Sequence, residues 1–124
     1  MSAGRQAPAA ARVTPFQRRV YAALRRVPRG RVTTYALLGH MIGCACAQAI
    51  GQAVRRNPFA PRVPCHRVIA SDLTIGGFGG DVRGARIAAK RRLLAAEGVF
   101  FRHGRLADPA RVYPARDAAR RASE

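Results

Sequence analysis

The sequence is short of acidic residues, of cysteine and of long apolar runs, and each shortage removes a class of protein. Only 6 of its 124 residues are Asp or Glu against 23 Lys and Arg, a formal charge of +17. That excess is more than solubility needs and favours a polyanionic partner, nucleic acid first and an anionic membrane second. A GC-rich genome also enriches arginine and alanine together, so the sign of the bias carries more weight than its size. Lysine is all but absent, Lys90 being the only one. Three cysteines, an odd number without even spacing, make no disulfide framework. No apolar run approaches the ~20 residues of a membrane span, and no internal repeat is present. These readings point to an intracellular protein. The length excludes a two-domain enzyme and predicts one small domain with a thin core.

Both ends differ in composition from the middle. Residues 1–13, MSAGRQAPAAARV, read as a disordered basic arm, too short and too broken by proline for a targeting segment. Residues 108–124, interrupted by Pro109 and Pro114, read as a basic flexible tail holding at most one frayed turn around Ala118. The domain is expected over 14–107. Thr14-Pro15-Phe16-Gln17 opens it with a capping box and a proline suited to the first helical position. Phe16, Val20, Ala23, Leu24 and Val27 then form one apolar stripe, which Pro28 and Gly30 end. After a β-like link, Val32-Thr33-Thr34, the hydroxyl of Thr34 can cap a second helix from Tyr35 to about Met41, stopped by Gly43. A third helix, Ala45 to Arg56, places Cys46, Ile50, Ala53 and Val54 inward and Gln48, Gln52 and Arg55 outward. Two short helices joined by a Gly-containing turn after a longer one match a helix-turn-helix. Ala49 and Gly51 would let the third helix come close to a phosphate backbone. The same pattern fits a three-helix packing unit with no ligand.

Beyond Asn57-Pro58-Phe59 the chain reads as extended from Arg62 to Ile69, with Pro64 directly before Cys65-His66. A lone cysteine is more often an inert buried hydrophobe than a nucleophile, because only the thiolate attacks. Here it sits beside His66 and Arg67, and ahead of Gly76-Gly77-Phe78-Gly79-Gly80, a loop that would let a flat ligand approach the backbone. Strand neighbours point to opposite faces, so Cys65 and His66 can cooperate only across a turn or through a water. A fourth helix, roughly Arg83 to Glu97 with Gly98 as its stop, puts Glu97 on the stripe of Ile87 and Leu94. Glu97 either reaches solvent at the helix end or needs a buried donor, for which His66 and nearby arginines are candidates. A Glu-His-Cys relay would explain all three residues. Cys44, Cys46 and His40 could be a metal corner, but no second ligand pair has suitable spacing, so no metal is expected; one cysteine in the core and one at a helix start is the better reading.

Val63-Pro64-Cys65-His66-Arg67-Val68-Ile69 closely resembles the active-site segment of the 6-O-methylguanine-DNA methyltransferases. The resemblance extends from Thr14 to Gly98, through TPFQRRVYAALRRVPRGRVTTYALLG, RRNPFAPRVPCHRVI and LLAAEG. It implies an α+β, mostly helical fold, a single winged helix-turn-helix-like domain. It also implies flipping of a damaged nucleotide out of duplex DNA and irreversible transfer of its alkyl group to the protein. By that resemblance Cys65 is the acceptor, His66 its base through a water, and Glu97 the residue that orients the imidazole. Tyr35 would press on the 3′ phosphate and donate to the leaving base, and Asn57 would tie the turn before the cysteine to the recognition helix. Gln48, Ala49, Gly51, Gln52, Arg55, Arg56 and Arg67 would face DNA. Tyr35, Val63, Pro64, Gly76, Gly77 and Phe78 would line the pocket. No cofactor is implied. The partner is duplex DNA carrying 6-O-alkylguanine, met by a monomer with no membrane, in the nucleus of a eukaryote or otherwise the cytoplasm and nucleoid. The sequence departs from the family where Gln48 replaces the usual intercalating arginine, and in lacking the amino-terminal domain of many members. The alternative function is that of the alkyltransferase-like proteins, which bind the lesion and recruit other repair factors without transferring.

Overall fold

The computed structural model describes residues 13–60, 62–77 and 84–114. Helix α1 (Pro15–Leu24) starts with its capping box closed from both sides: the Thr14 hydroxyl accepts from the Gln17 amide at 3.1 Å, and the Gln17 side chain accepts from the Thr14 amide at 3.0 Å. The helix stops three residues before its apolar stripe does. Arg26 and Val27 bond back to the carbonyls of Ala23 and Leu24, a tightening that ends α-geometry, and Pro28 disfavours it for Val27. Val27 is buried all the same.

Strand β1 (Thr33–Thr34) leads into α2 (Tyr35–Ile42), whose first turn is capped by the Thr34 hydroxyl and whose end is Gly43 in the left-handed region, φ 69°. Helix α3 (Ala47–Arg55) follows, starting two residues later than its pattern suggests. Residues 44–46 stay in the turn because the Cys44 amide bonds the Gly39 carbonyl at 2.8 Å. The axes of α2 and α3 differ in direction by 104°, within the range of helix-turn-helix pairs. Arg19 of α1 donates to the Ile42 carbonyl, pinning α1 to the end of α2. No single helix among the described residues is long and apolar enough to cross a membrane.

The segment read as extended is instead a 3-10 turn, Cys65–Arg67, followed by β2 (Val68–Ile69). Pro64 sets it up: its carbonyl takes the Arg67 amide at 2.9 Å, closing a one-turn ring that extended backbone could not make. β2 pairs in parallel with β1, Thr33 opposite Val68 and Thr34 opposite Ile69. Adjacent strand residues face opposite ways, so Val68 enters a core built by α1, α2 and α3 while Ile69 enters a second one. The second core gathers Leu94 of α4 (Ala85–Ala96) and Leu106 of the hairpin β3 (Phe101–Arg102) and β4 (Arg105–Leu106) with Val32 before β1, Val99 between α4 and β3, and Val112 after β4. The turn carrying Cys65 is therefore wedged between two cores. The described part of the fold is α+β and mostly helical.

The ends need correction. Val13 is 8% exposed and packs in the first core, so it does not belong to a disordered arm. Residues 108–114 are part of the domain rather than a flexible tail. The Asp108 side chain accepts from the Ala110 amide, starting a 3-10 turn, Pro109–Arg111. The Val32 amide then donates to the Arg111 carbonyl and the Val32 carbonyl accepts from the Tyr113 amide, a parallel bridge between Val32 and Val112 that leaves Val112 buried. Residues 1–12, Arg83 and the turn expected around Ala118 lie outside the described residues.

Candidate active site and nucleic-acid interface

The reactive turn is held from behind by Asn57. Its side-chain amide donates to the Val63 carbonyl at 2.8 Å, and its carbonyl oxygen accepts from the Phe59 amide at 2.9 Å. The tie from the end of α3 to the approach of Cys65 is thus present in the geometry. Val63 and Pro64 are buried, while Cys65 is half-buried and has no disulfide partner. Burial pushes the Cys65 thiol up, against the Asn57 side chain, its own backbone amide and the charge of Lys90, which pull it down. The net direction is upward, so the thiol needs a base before it can attack at neutral pH.

His66 is buried and its Nε2 lies 2.9 Å from Glu97 Oε2. Arg67 grips the same carboxylate from two nitrogens, Nε to Oε1 and Nη2 to Oε2, each at 2.9 Å, and its Nη1 donates to the Val27 carbonyl at 2.8 Å. Burial would raise the Glu97 carboxyl, but the hydrogen bonds and charges of Arg67 and His66 outweigh it and hold it at about 2. An ionised carboxylate only accepts, so the hydrogen between the two side chains sits on His66 Nε2, and Nδ1 is the ring nitrogen not engaged by Glu97. No hydrogen bond among the described residues joins His66 to the Cys65 sulfur. The Glu97 to His66 limb of the relay is direct; the His66 to Cys65 limb is not.

Tyr35 opens α2 and packs against the first core. Burial and then the charge of Cys65 push its hydroxyl upward, so it stays protonated at neutral pH. Tyr35 also lines a groove of about 560 Å³ with Gly39, His40, Cys44 and Ala47, between α2 and the start of α3. Cys65 is not one of its walls. Val63 lines a different cavity, with Tyr21 and Phe59. The expected pocket residues are therefore not gathered around one described cavity, and Phe78 lies outside the described residues. Gly76 and Gly77 sit on the loop after β2, Gly76 at φ 72°. On α3, Gln48, Ala49, Gln52 and Arg55 are exposed, as is Arg56 just after it, and nothing lies within 4 Å of where a Gly51 Cβ would stand.

Residues 15–99 match the family model described as 6-O-methylguanine DNA methyltransferase, DNA binding domain. The chain belongs to this family. It is 43% identical over 86 residues to a methylated-DNA--protein-cysteine methyltransferase of Methanothermobacter thermautotrophicus, covering 69% of this chain and 46% of that one. Among solved structures it resembles Mycobacterium tuberculosis OGT in complex with DNA, with a TM-score of 0.63 and 41% identity, over 69% of this chain and 51% of that one. It also resembles S. pombe Atl1 in complex with damaged DNA containing O6-carboxymethylguanine, with a TM-score of 0.58 and 28% identity, over 73% of this chain and 84% of that one. The chain spans about half the length of the curated methyltransferases it matches.

Within this methyltransferase-family domain, several side chains differ from their sequence reading. Arg67, expected at the DNA backbone, is spent internally on Glu97 and Val27, because its side chain follows His66 into the gap between the two cores. Cys44 and Cys46 sit side by side at the tip of the turn, with their Cα atoms 5.3 Å apart. Lys90, not singled out as functional, is fully buried on α4. Its signals were its place on the stripe between Ile87 and Leu94 and its standing as the chain's one lysine. Tyr21 was missed as well; its hydroxyl donates to the Ala53 carbonyl at 2.7 Å, joining α1 to α3.

Proposed function

We propose that this chain repairs 6-O-alkylguanine in duplex DNA by moving the alkyl group, once and irreversibly, onto Cys65. The observation that carries the reading is the buried His66, oriented by an ionised Glu97, in the same 3-10 turn as a cysteine that needs a base. Helix α3 would enter a groove of the duplex with Gln48, Ala49, Gly51 and Gln52 toward it, and Arg55 and Arg56 on phosphates. The extruded guanine would meet Cys65. The thiol proton passes to His66 through a water, the sulfur lone pair forms the S–C bond, and the C–O6 bond breaks. The departing guanine takes a proton from Tyr35, whose raised pKa keeps it a donor at neutral pH. Holding the alkyl carbon beside the thiolate supplies much of the remaining rate. Duplex DNA as substrate places the protein inside the cell.

One observation favours a second reading, lesion binding without transfer. Gln48, shorter than arginine and neutral, stands where an intercalating arginine is usual, so the gap left by an extruded base is filled less well. The similarity to Atl1 covers most of that shorter chain. Intact-protein mass after incubation with excess duplex bearing 6-O-methylguanine separates the readings. Transfer predicts a stoichiometric gain of one methyl group, absent in Cys65→Ser and with undamaged duplex. No gain with tighter binding to the damaged duplex indicates a lesion sensor. No gain and equal binding leaves a general basic DNA-binding domain.

A further inference from the structure

Lys90 lies on the buried face of α4 with no exposed surface, and the transfer chemistry above makes no use of it. Its ammonium donates three hydrogen bonds, all to main-chain carbonyl oxygens: Val68 at 2.7 Å, Ile75 at 2.6 Å and Gly77 at 2.9 Å. Val68 is the first residue after the reactive turn, and Ile75 and Gly77 belong to the loop that follows β2. Among the described residues no carboxylate pairs with it. A buried cation satisfied only by carbonyl dipoles is a costly way to fill a core position that leucine or methionine would fill more easily. Every other Lys or Arg position in the chain is arginine, yet here lysine is kept. The reason is geometric: an ammonium aims three hydrogens at three converging acceptors, and a planar guanidinium cannot.

Tyr21 on α1, Tyr35 on α2, the Asn57 amide after α3 and Lys90 on α4 are coupled to the Cys65 thiol through charge or hydrogen bonding. Lys90 is the cation that acts on it. Burial pushes Lys90 down to about 8, and the charge of Cys65 pushes it back up. We propose that Lys90 is a positioning residue of the reactive turn, tying β2 to the 75–77 loop and supplying the buried positive charge that acts on the Cys65 thiolate. The proposal rests on Cys65 being the alkyl acceptor, but its test uses neither DNA nor transfer, so the two can fail separately.

The test follows the rate of Cys65 alkylation by iodoacetamide against pH, in a Cys44→Ser/Cys46→Ser background, with and without Lys90→Met. The midpoint is expected to rise by about one unit without the lysine, a drop of about tenfold in rate at neutral pH. Superimposable curves from a folded Lys90→Met protein overturn the charge role. A second measurement needs no lysine variant. Carbon-13 lysine labelling gives a single side-chain signal, which should titrate at lower pH in Cys65→Ser than in the native protein. By reciprocity the shift should match the one seen at Cys65. Identical lysine titrations overturn the proposal.

Discussion

The helix-turn-helix face and the reactive turn use the same residue types in opposite ways. At the end of α3, Arg55 and its cap Arg56 are exposed, and Gly51 opens onto empty space. Around the reactive turn, Arg67 makes three hydrogen bonds to its own chain, and a Cβ on Gly76 would stand 3.2 Å from the Ala70 amide nitrogen. What α3 leaves open, a partner can use; what the turn satisfies internally fixes the geometry of Cys65 and His66. The comparison also explains why basic residues of one kind divide into two roles. An exposed arginine contributes salt-sensitive attraction, whereas a buried bidentate one contributes orientation.

The strongest way to break this contrast is Glu97→Gln, which leaves Arg67 and His66 without their anion. Urea denaturation should show a loss of about 3 kcal/mol, whereas a loss below about 0.5 kcal/mol would make the pair a surface-like one. The effect has a pH signature. Glu97 sits at about 2 in the folded chain against 4.5 ordinarily, so its stabilisation is complete above about pH 4.5 and is lost as the pH falls toward 2. Melting at pH 5 and pH 3 should show a larger fall for the native protein than for Glu97→Gln, and equal falls would contradict the assignment.

A second substitution sharpens the contrast within the helix-turn-helix. A Cβ on Gly39 would collide with the Cys44 carbonyl oxygen, which α2 needs close to form the turn. Gly39→Ala should cost about 2 kcal/mol, read from the same denaturation experiment. Native-like stability would mean the turn can open without penalty. Gly51→Ala, one helix away, should do the reverse. It removes a helix glycine without a clash and should stabilise the fold by roughly 0.5–1 kcal/mol. If α3 lies against a duplex, the same methyl group should weaken DNA binding while the melting temperature rises. Unchanged affinity in a fluorescence titration would remove Gly51 from the interface.

How much of this was legible in the sequence follows from how local each signal is. Thr14 with Gln17, and Thr34 before α2, announce helix starts because a cap is completed within three residues. Ile50, Ala53 and Val54 announce the inner face of α3 by spacing alone. Gly39 carried no such mark, since its constraint comes from a carbonyl beyond the end of its own helix. The turn at Cys65 was hidden by β-branched neighbours, which read as strand. Pro64 and one main-chain bond outweighed that preference. Arg67 read as a DNA contact because charge in a sequence has no direction. Only packing between two cores turned it inward, and the same packing drew Val112 and Tyr113 out of an apparent tail.

The sequence by itself determined the first three helices, the helix-turn-helix order and the small set of residues able to do thiol chemistry, because caps, periodicity and residue type act over a few positions. Only the tertiary structure decided that His66 and Arg67 share one carboxylate about thirty residues away, and that the one lysine is buried between β2 and the glycine loop. Those pairings depend on which faces two cores bring together, and that is settled by burial and shape across the whole chain rather than by any stretch of it.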